Sequence, residues 1–206
     1  MSELFQIPLE LQSDQQTVLP IPDEISYYVL EKDRKIYLDV DVSPDIMAIQ
    51  RMILRWNMED RGIDPKERKP IHIYIMSYGG DLNYMWSTID MIQTSETPIY
   101  TVNVGQADSA AALIFMSGHK RFMMPRAVVV IHEGHASASG DSTKFLDASD
   151  SYRQELKRMK EYILTRTQIP PRLLSKKRNN DWEIDSAQCL EYHICDAVID
   201  NLSEII

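Results

Sequence analysis

The chain has 206 residues, 44% hydrophobic and 26% charged, the proportions of one ordinary globular domain large enough to bury a core. A formal net charge of −9, with no Lys/Arg cluster interleaved with aromatics, argues against nucleic acid as a partner. Two cysteines, Cys189 and Cys195, cannot build a disulfide framework or a common zinc site, the start lacks a basic leader with an apolar core, and no apolar run could span a bilayer; a cytoplasmic protein without membrane contact or cofactor is expected.

The first 25 or so residues are polar, Gln-rich and punctuated by Pro20 and Pro22, and read as an irregular N-terminal arm (1–25) ahead of one domain (26–206). Lys35 to Val42 alternates and predicts the first strand. Ser43-Pro44-Asp45 caps a helix whose inward face carries Ile46, Ile49, Ile53 and Trp56. After a charged loop from Asp60 to Pro70 come a strand (Ile71 to Met76), the turn Ser77-Tyr78-Gly79-Gly80, and a helix from Asp81 to Thr94. A strand from Pro98 to Val104 leads through Gly105-Gln-Ala-Asp-Ser109 into an apolar helix ending at Met116, followed by strands Arg121 to Met124 and Ala127 to Ile131. His135 to Asp141 is small and polar, suited to a flexible or extended segment. The long helix Ser142 to Thr167 carries a stripe of Phe145, Ala148, Tyr152, Leu156, Met159 and Ile163, too long for a domain already built and suited to another subunit. Pro170-Pro171 breaks it, and Ile184 to Ile199 supplies a short helix and a final strand. Alternating strands and helices predict an α/β fold with a largely parallel sheet and crossover helices, whose sites open at the carboxyl ends of the strands.

Three features fall at such ends: the glycine pair, Ser109 and His132. A serine hydroxyl needs a base to take its proton, the base needs an orienting carboxylate, and the oxyanion needs backbone donors already in place. Ser109 at a helix start would lie at the positive end of the helix dipole. Each feature also has a plain structural reading. Asp108 or Ser109 can be a helix N-cap, His132 a satisfied strand-end histidine, and Gly79-Gly80 a tight turn without dinucleotide or P-loop spacing. His132-Glu-Gly-His135 has the wrong histidine spacing for a zinc helix, and no metal site is expected. The conjunction favours a serine hydrolase.

At these motifs the sequence resembles the proteolytic subunit of the Clp protease (ClpP) family, as a divergent member. Tyr74-Ile-Met-Ser-Tyr-Gly79-Gly80 is similar to the family's Y-I-N-S-P-G-G, and Gly105-Gln-Ala-Asp-Ser109-Ala to its G-Q-A-A-S-M. Val130-Ile131-His132-Glu is similar to its M-I-H-Q, and the run from Asp181 to Asp196 aligns without a gap on its D-R-F-L-S-A-P-E-A-V-E-Y-G-L-V-D. The resemblance covers roughly residues 25 to 200 and implies a crotonase-like fold. It also implies a chambered serine endopeptidase that cuts unfolded proteins and peptides. Ser109 would be the nucleophile, His132 the base and acid, and Asp181 the orienting carboxylate. Gly80 and Ala110 would supply the oxyanion donors, and Gly79 and Gly140 would meet the substrate. Subunits would stack as two rings (two heptamers, a tetradecamer) joined through the helix 142–167 as a handle. An AAA+ unfoldase would dock near Tyr74, Phe122 and Met124. Tyr78 and Asp108 depart from the family pattern, as do the segment after His132 and the N-terminal arm. Those departures keep open a non-catalytic subunit that shapes or gates a mixed ring. A crotonase-type acyl-CoA enzyme shares the fold but has no evident need for a Ser-His-Asp set.

Overall fold

The computed structural model describes residues 22–134, 141–177 and 180–205. The chain divides into two compact units, residues 1–33 and 34–206. The first contributes helix α1 (Pro22–Lys32), so regular structure begins inside the stretch expected to be irregular. Pro22 suits a first helical position, where a missing N–H costs nothing.

In the second unit the described strands form one sheet. β1 (Lys35–Leu38), β2 (Ile71–Ser77), β3 (Ile99–Asp108), β4 (Lys120–Met123) and β7 (Ala197–Val198) pair in that order, all in parallel. β3 is long because it serves two neighbours. Tyr100 to Asn103 pair with β4, whereas Gln106 to Asp108 pair with β5 (Val128–Ile131). β5 pairs in antiparallel with β6 (Trp182–Asp185), which sequence patterning had not separated from the closing helix and strand. The α/β, largely parallel architecture expected from the sequence is therefore the one observed, with one antiparallel strand at its margin.

Helices α2 (Met47–Glu59), α3 (Leu82–Gln93) and α4 (Ala110–Ser117) connect the strands. All eight residues of α4 are buried, which explains why its sequence is apolar on every side. The predicted inward faces hold: Ile49, Ile53 and Trp56 of α2, and Met85, Ile89 and Ile92 of α3, lie in the main core with Ile73, Ile75, Ala107 and Val129 from the sheet. Burying each large aliphatic side chain stabilises the fold by about 1.5–3 kcal/mol, before the ordering entropy is subtracted.

α5 (Ser142–Arg166) has two different halves. Its second half packs on the core through Met159 and Ile163, with Tyr162 edge-on to Trp86 at 5.4 Å between centroids. In its first half Phe145, Leu146 and Ala148 are exposed among the described residues. Asp141 caps the helix by accepting from Lys144 N–H. Pro171 does not merely end the chain's helical course; it opens α6 (Pro171–Lys177). α7 (Ser186–Glu191) follows β6 directly.

The carboxyl-terminal stretch returns to the sheet face opposite the helices. Ile199 and Ile205 are buried there against Tyr74 and Val102, with Phe122 and Met124 packed around them. The Tyr74 hydroxyl donates to Ile205 O at 2.8 Å.

Candidate active site

The site is assembled at the carboxyl ends of β2, β3 and β5. β3 ends at Asp108, and the chain turns at Ser109 into α4. Ser109 sits at φ 52°, ψ −121°, a positive φ that a side-chain-bearing residue rarely adopts. Its side chain makes no capping bond to α4, so the N-cap explanation for Ser109 fails. Asp108 does not cap the helix either: it lies within β3, and its carboxylate accepts from Gln106 Nε2 at 2.5 Å. A strained serine on a sharp strand-to-helix turn is how a hydroxyl is held out at a sheet edge for reaction.

The turn is held from two sides. Ser109 N–H donates to Val130 O at 2.9 Å, tying the serine to the strand that carries His132. On the other side Gly79, at φ 92°, fits against the serine's own backbone. A Cβ there would lie 2.6 Å from Asp108 O, 2.9 Å from Ala110 N and 2.9 Å from Ser109 Cβ. Gly79 is thus required by a close approach as well as by its positive φ. Gly80 bridges to Val42, with Val42 N–H donating to Gly79 O and Asp81 N–H to Val42 O, each at 2.7 Å. The first strand, expected to run unbroken to Val42, stops at Leu38, and Val42 rejoins the sheet only through this bridge. Asp81 then caps α3 by accepting from Asn83 and Tyr84 N–H. Tyr78, where the sequence comparison raised the missing proline, projects with 72% of its surface exposed.

His132 follows β5, and Asp181 precedes its antiparallel partner β6. The register Ile131↔Trp182 carries the two side chains to opposing positions, where His132 Nδ1 lies 3.5 Å from Asp181 Oδ1. His132 is largely covered, whereas 81% of the Asp181 side chain is exposed. The same face carries Asp108, Val130 and Glu183 in one cross-strand row, since Asp108 pairs with Val130 and Val130 with Glu183. Neither Asp108, half-buried on the histidine's face of the sheet, nor Glu183 in its row could be read from the sequence, because only the pairing of β5 with both β3 and β6 brings them together.

The remaining expectations fall as follows. Gly80 and Ala110 flank the serine turn, one beyond Gly79 and the other beginning α4. Gly140 and His135 lie outside the described residues. Tyr74, Phe122 and Met124 do share one sheet face, in the small cluster that Ile199 and Ile205 cover. A broad groove of about 640 Å³ opens beside the glycine turn, lined by Asp39, Asp41, Asp45, Met76, Tyr78 and Gln106 among others. No group of histidines, cysteines and carboxylates among the described residues is arranged to hold a metal ion. No helix among them is long and apolar enough to cross a membrane.

Residues 24–202 match the Clp protease family. The chain is similar to ATP-dependent Clp protease proteolytic subunit 1 of Tropheryma whipplei, 30% identical over 197 residues that cover 90% of this chain and 89% of that protein. It is also similar to proteolytic subunit 2 of Treponema denticola (29% over 143 residues, 66% of this chain and 70% of that one). The subunit 2 of Treponema pallidum is 25% identical over 175 residues, covering 84% and 85% respectively. Such identities are those of a divergent relative. On the extent of the family match, the strand-end motifs and the parallel α/β sheet that presents them, the chain belongs to the Clp protease family.

Proposed function

We propose that the chain is a serine-type endopeptidase, the proteolytic subunit of a Clp-like chambered protease acting in the cytoplasm on unfolded proteins and peptides. In this reading Ser109 Oγ attacks the scissile carbonyl while its proton passes to His132 Nε2. Asp181 holds the imidazole through Nδ1 and stabilises the imidazolium. The Gly80 and Ala110 N–H groups receive the oxyanion, aided by the positive end of α4. The tetrahedral intermediate collapses as His132 returns its proton to the leaving amine. Water, activated by the same histidine, then releases the acyl group and regenerates the serine. Gly79, and Gly140 in the neighbouring segment, would border the substrate chain.

The observation that carries the reading is the strained Ser109 turn, clamped between Gly79 and the His132 strand. Assembly into stacked rings, two heptamers in this family, accords with the exposed first half of α5; an AAA+ unfoldase would dock at the half-buried Phe122 and Met124, beside Tyr74, which the carboxyl-terminal stretch covers. Buried, free Cys189 and Cys195 suit a reducing compartment.

A second reading, a non-catalytic ring subunit, is favoured by one observation: the 3.5 Å His132–Asp181 contact is long, and its carboxylate is exposed. One experiment separates the two. Fluorophosphonate labelling of the assembled protein should be strong and should vanish in Ser109→Ala, which elutes at the same size. An assembled ring that never labels would establish the second reading and overturn the first.

A further inference from the structure

Beyond Ile199 the chain makes a short segment whose hydrogen bonds are nearly all its own. Ile199 still belongs to the sheet, since its N–H donates to Met123 O at 2.8 Å. Asn201 then caps a single 3₁₀ turn (Leu202–Glu204) by accepting from Ser203 N–H at 3.0 Å, while the Glu204 carboxylate accepts from Asn201 N–H at 3.3 Å. Glu204 N–H and Ile205 N–H donate to Asn201 O and Leu202 O, each at 3.1 Å. Among the described residues one hydrogen bond leaves this turn, from the Tyr74 hydroxyl to Ile205 O at 2.8 Å. Residues 200–204 are exposed, whereas Ile205 is 1% exposed.

Ile205 lies against a cross-strand row that the registers of β1 to β4 set side by side: Tyr37, Tyr74, Val102 and Phe122. Tyr37 and Tyr74 stack with their ring centroids 5.0 Å apart. The row is aromatic or aliphatic at every position, and Ile205 with Ile199 is what buries Tyr74 and Val102. A contiguous apolar face of this kind is avoided in water unless something binds it. The turn that covers it keeps its internal bonds when lifted as a unit. Lifting costs one aliphatic side chain and one hydrogen bond, the marks of a segment that opens locally without the rest of the fold.

We infer that the turn from Asn201 to Ile205 is a displaceable cover, so that the Tyr74–Phe122 row is occupied by this chain itself at rest. The row then opens only to a peptide that brings an aliphatic side chain, and a carbonyl for the Tyr74 hydroxyl, in place of Ile205. The inference deepens the docking face proposed above. It rests on that reading for what displaces the cover, a loop of the unfoldase, though not for the cover itself. A tethered segment competes at an effective concentration on the order of millimolar, so an isolated loop of similar affinity loses to it. The apparent affinity of any partner falls by the fraction of time that the cover is open. Several loops engaging several subunits at once overcome that handicap, whereas stray apolar peptides do not.

The test offers the segment back to the protein as a free peptide. A synthetic peptide of Asp200 to Ile206 is mixed at millimolar concentration with assembled wild type and with Ile205→Asp, and saturation-transfer NMR reads its isoleucine methyls. Transfer should be about threefold stronger or more with Ile205→Asp, whose own cover no longer holds the row. The same peptide carrying Ile205→Asp should show no such gain. Ile205→Ala is the second variant, used if the first does not assemble. Equal transfer to wild type and to a variant of wild-type size and circular dichroism overturns the inference. So does loss of assembly in both variants, which would make the turn a structural part of the subunit. In the wild type, the Glu204 and Ile205 amides should exchange with deuterium about tenfold faster or more than those of Ile199 and Met124, which donate to Met123 O and Asn103 O. One common rate for all four would also overturn the cover. Ser109 labelling is read on the same samples. Peptide binding gained without any labelling keeps the cover and removes the peptidase reading, and labelling without the gain does the reverse.

Discussion

At the scale of single residues, the site depends on backbone shapes that few side chains accept. Ser109 is held at positive φ by its N–H bond to Val130 O and by contact with Gly79. Gly79→Ala should therefore be damaging without touching any reacting group. The added methyl would meet backbone atoms 2.6–2.9 Å away at a φ of 92°, and the serine turn must shift to admit it. A displacement of about 1 Å at a reacting centre costs on the order of 10²-fold in rate. We expect kcat/KM on a short peptide to fall by about that factor while the protein still assembles; a variant with full activity would show that the turn is not so constrained. Gly79 and Ser109 were legible in sequence, since glycine pairs and a serine between apolar runs leave a signature. Asp108 was legible only as an oddity. Its partial burial and its row with Glu183 depend on pairing between strands that lie far apart in the chain, which no local pattern encodes.

At the scale of elements, α2 and α3 were readable because one face of each is buried, and β2 and the core of β3 because they are β-rich runs buried on both faces. The elements that escaped are short or break the usual rules. β6 has four residues, with Trp182 and Ile184 alone marking its buried face. α6 begins on a proline that looked like an ending. β3 continues through Gly105-Gln-Ala-Asp, a stretch with little strand character, because β5 supplies a new neighbour there.

Polar joints between elements were equally hidden. Arg121 on β4 is buried and bonds Asp196 through Nε and a terminal nitrogen at 3.1 and 2.6 Å, and its other terminal nitrogen donates to Arg166 O at 2.6 Å. Arg166 in turn bonds Met116 O and Gly118 O, so this joint fastens β4, the end of α4 and the end of α5 together. Burial pushes the Asp196 carboxyl up, but the bonds and charge of Arg121 outweigh it and hold it below the usual range. The stability from this pair is therefore present above the ordinary carboxylate range and lost as pH falls through the lowered folded value. Arg121→Ala should cost about 3 kcal/mol in chemical denaturation at neutral pH, because it strands a partly covered carboxylate. It should also weaken the acid-side loss of stability. A cost within experimental error of zero would refute the role given to this joint.

At the scale of the whole molecule, the clearest loose end is the first half of α5. Phe145 and Leu146 are exposed at 52% and 62%, uncovered by the other described residues. Sequence periodicity showed the stripe and suggested a partner subunit; the structure shows where along the helix the core stops covering it. If rings join through this surface, Phe145→Asp with Leu146→Asp should leave the fold intact by circular dichroism. The assembled species should fall to about half its mass in sedimentation velocity, as burial of aromatic and aliphatic anchors is lost. Unchanged mass would remove α5 from the ring contact.

The branching of β3 shares the site between two sides of the sheet. Its far end pairs with β5, and Ser109 N–H to Val130 O fastens the serine turn to the strand that leads to His132. On the other side Ala107 pairs with Ser77 of β2, and Gly80 is latched to Val42 on the β1 side. The two sides meet at the bare Cα of Gly79, against Asp108 O, Ala110 N and Ser109 Cβ. In the reading proposed above, a shift at that contact would leave Ser109 aligned with His132 while moving Gly80, one of the two proposed oxyanion donors. Such a site would fall silent through one glycine, with its serine and histidine still in place.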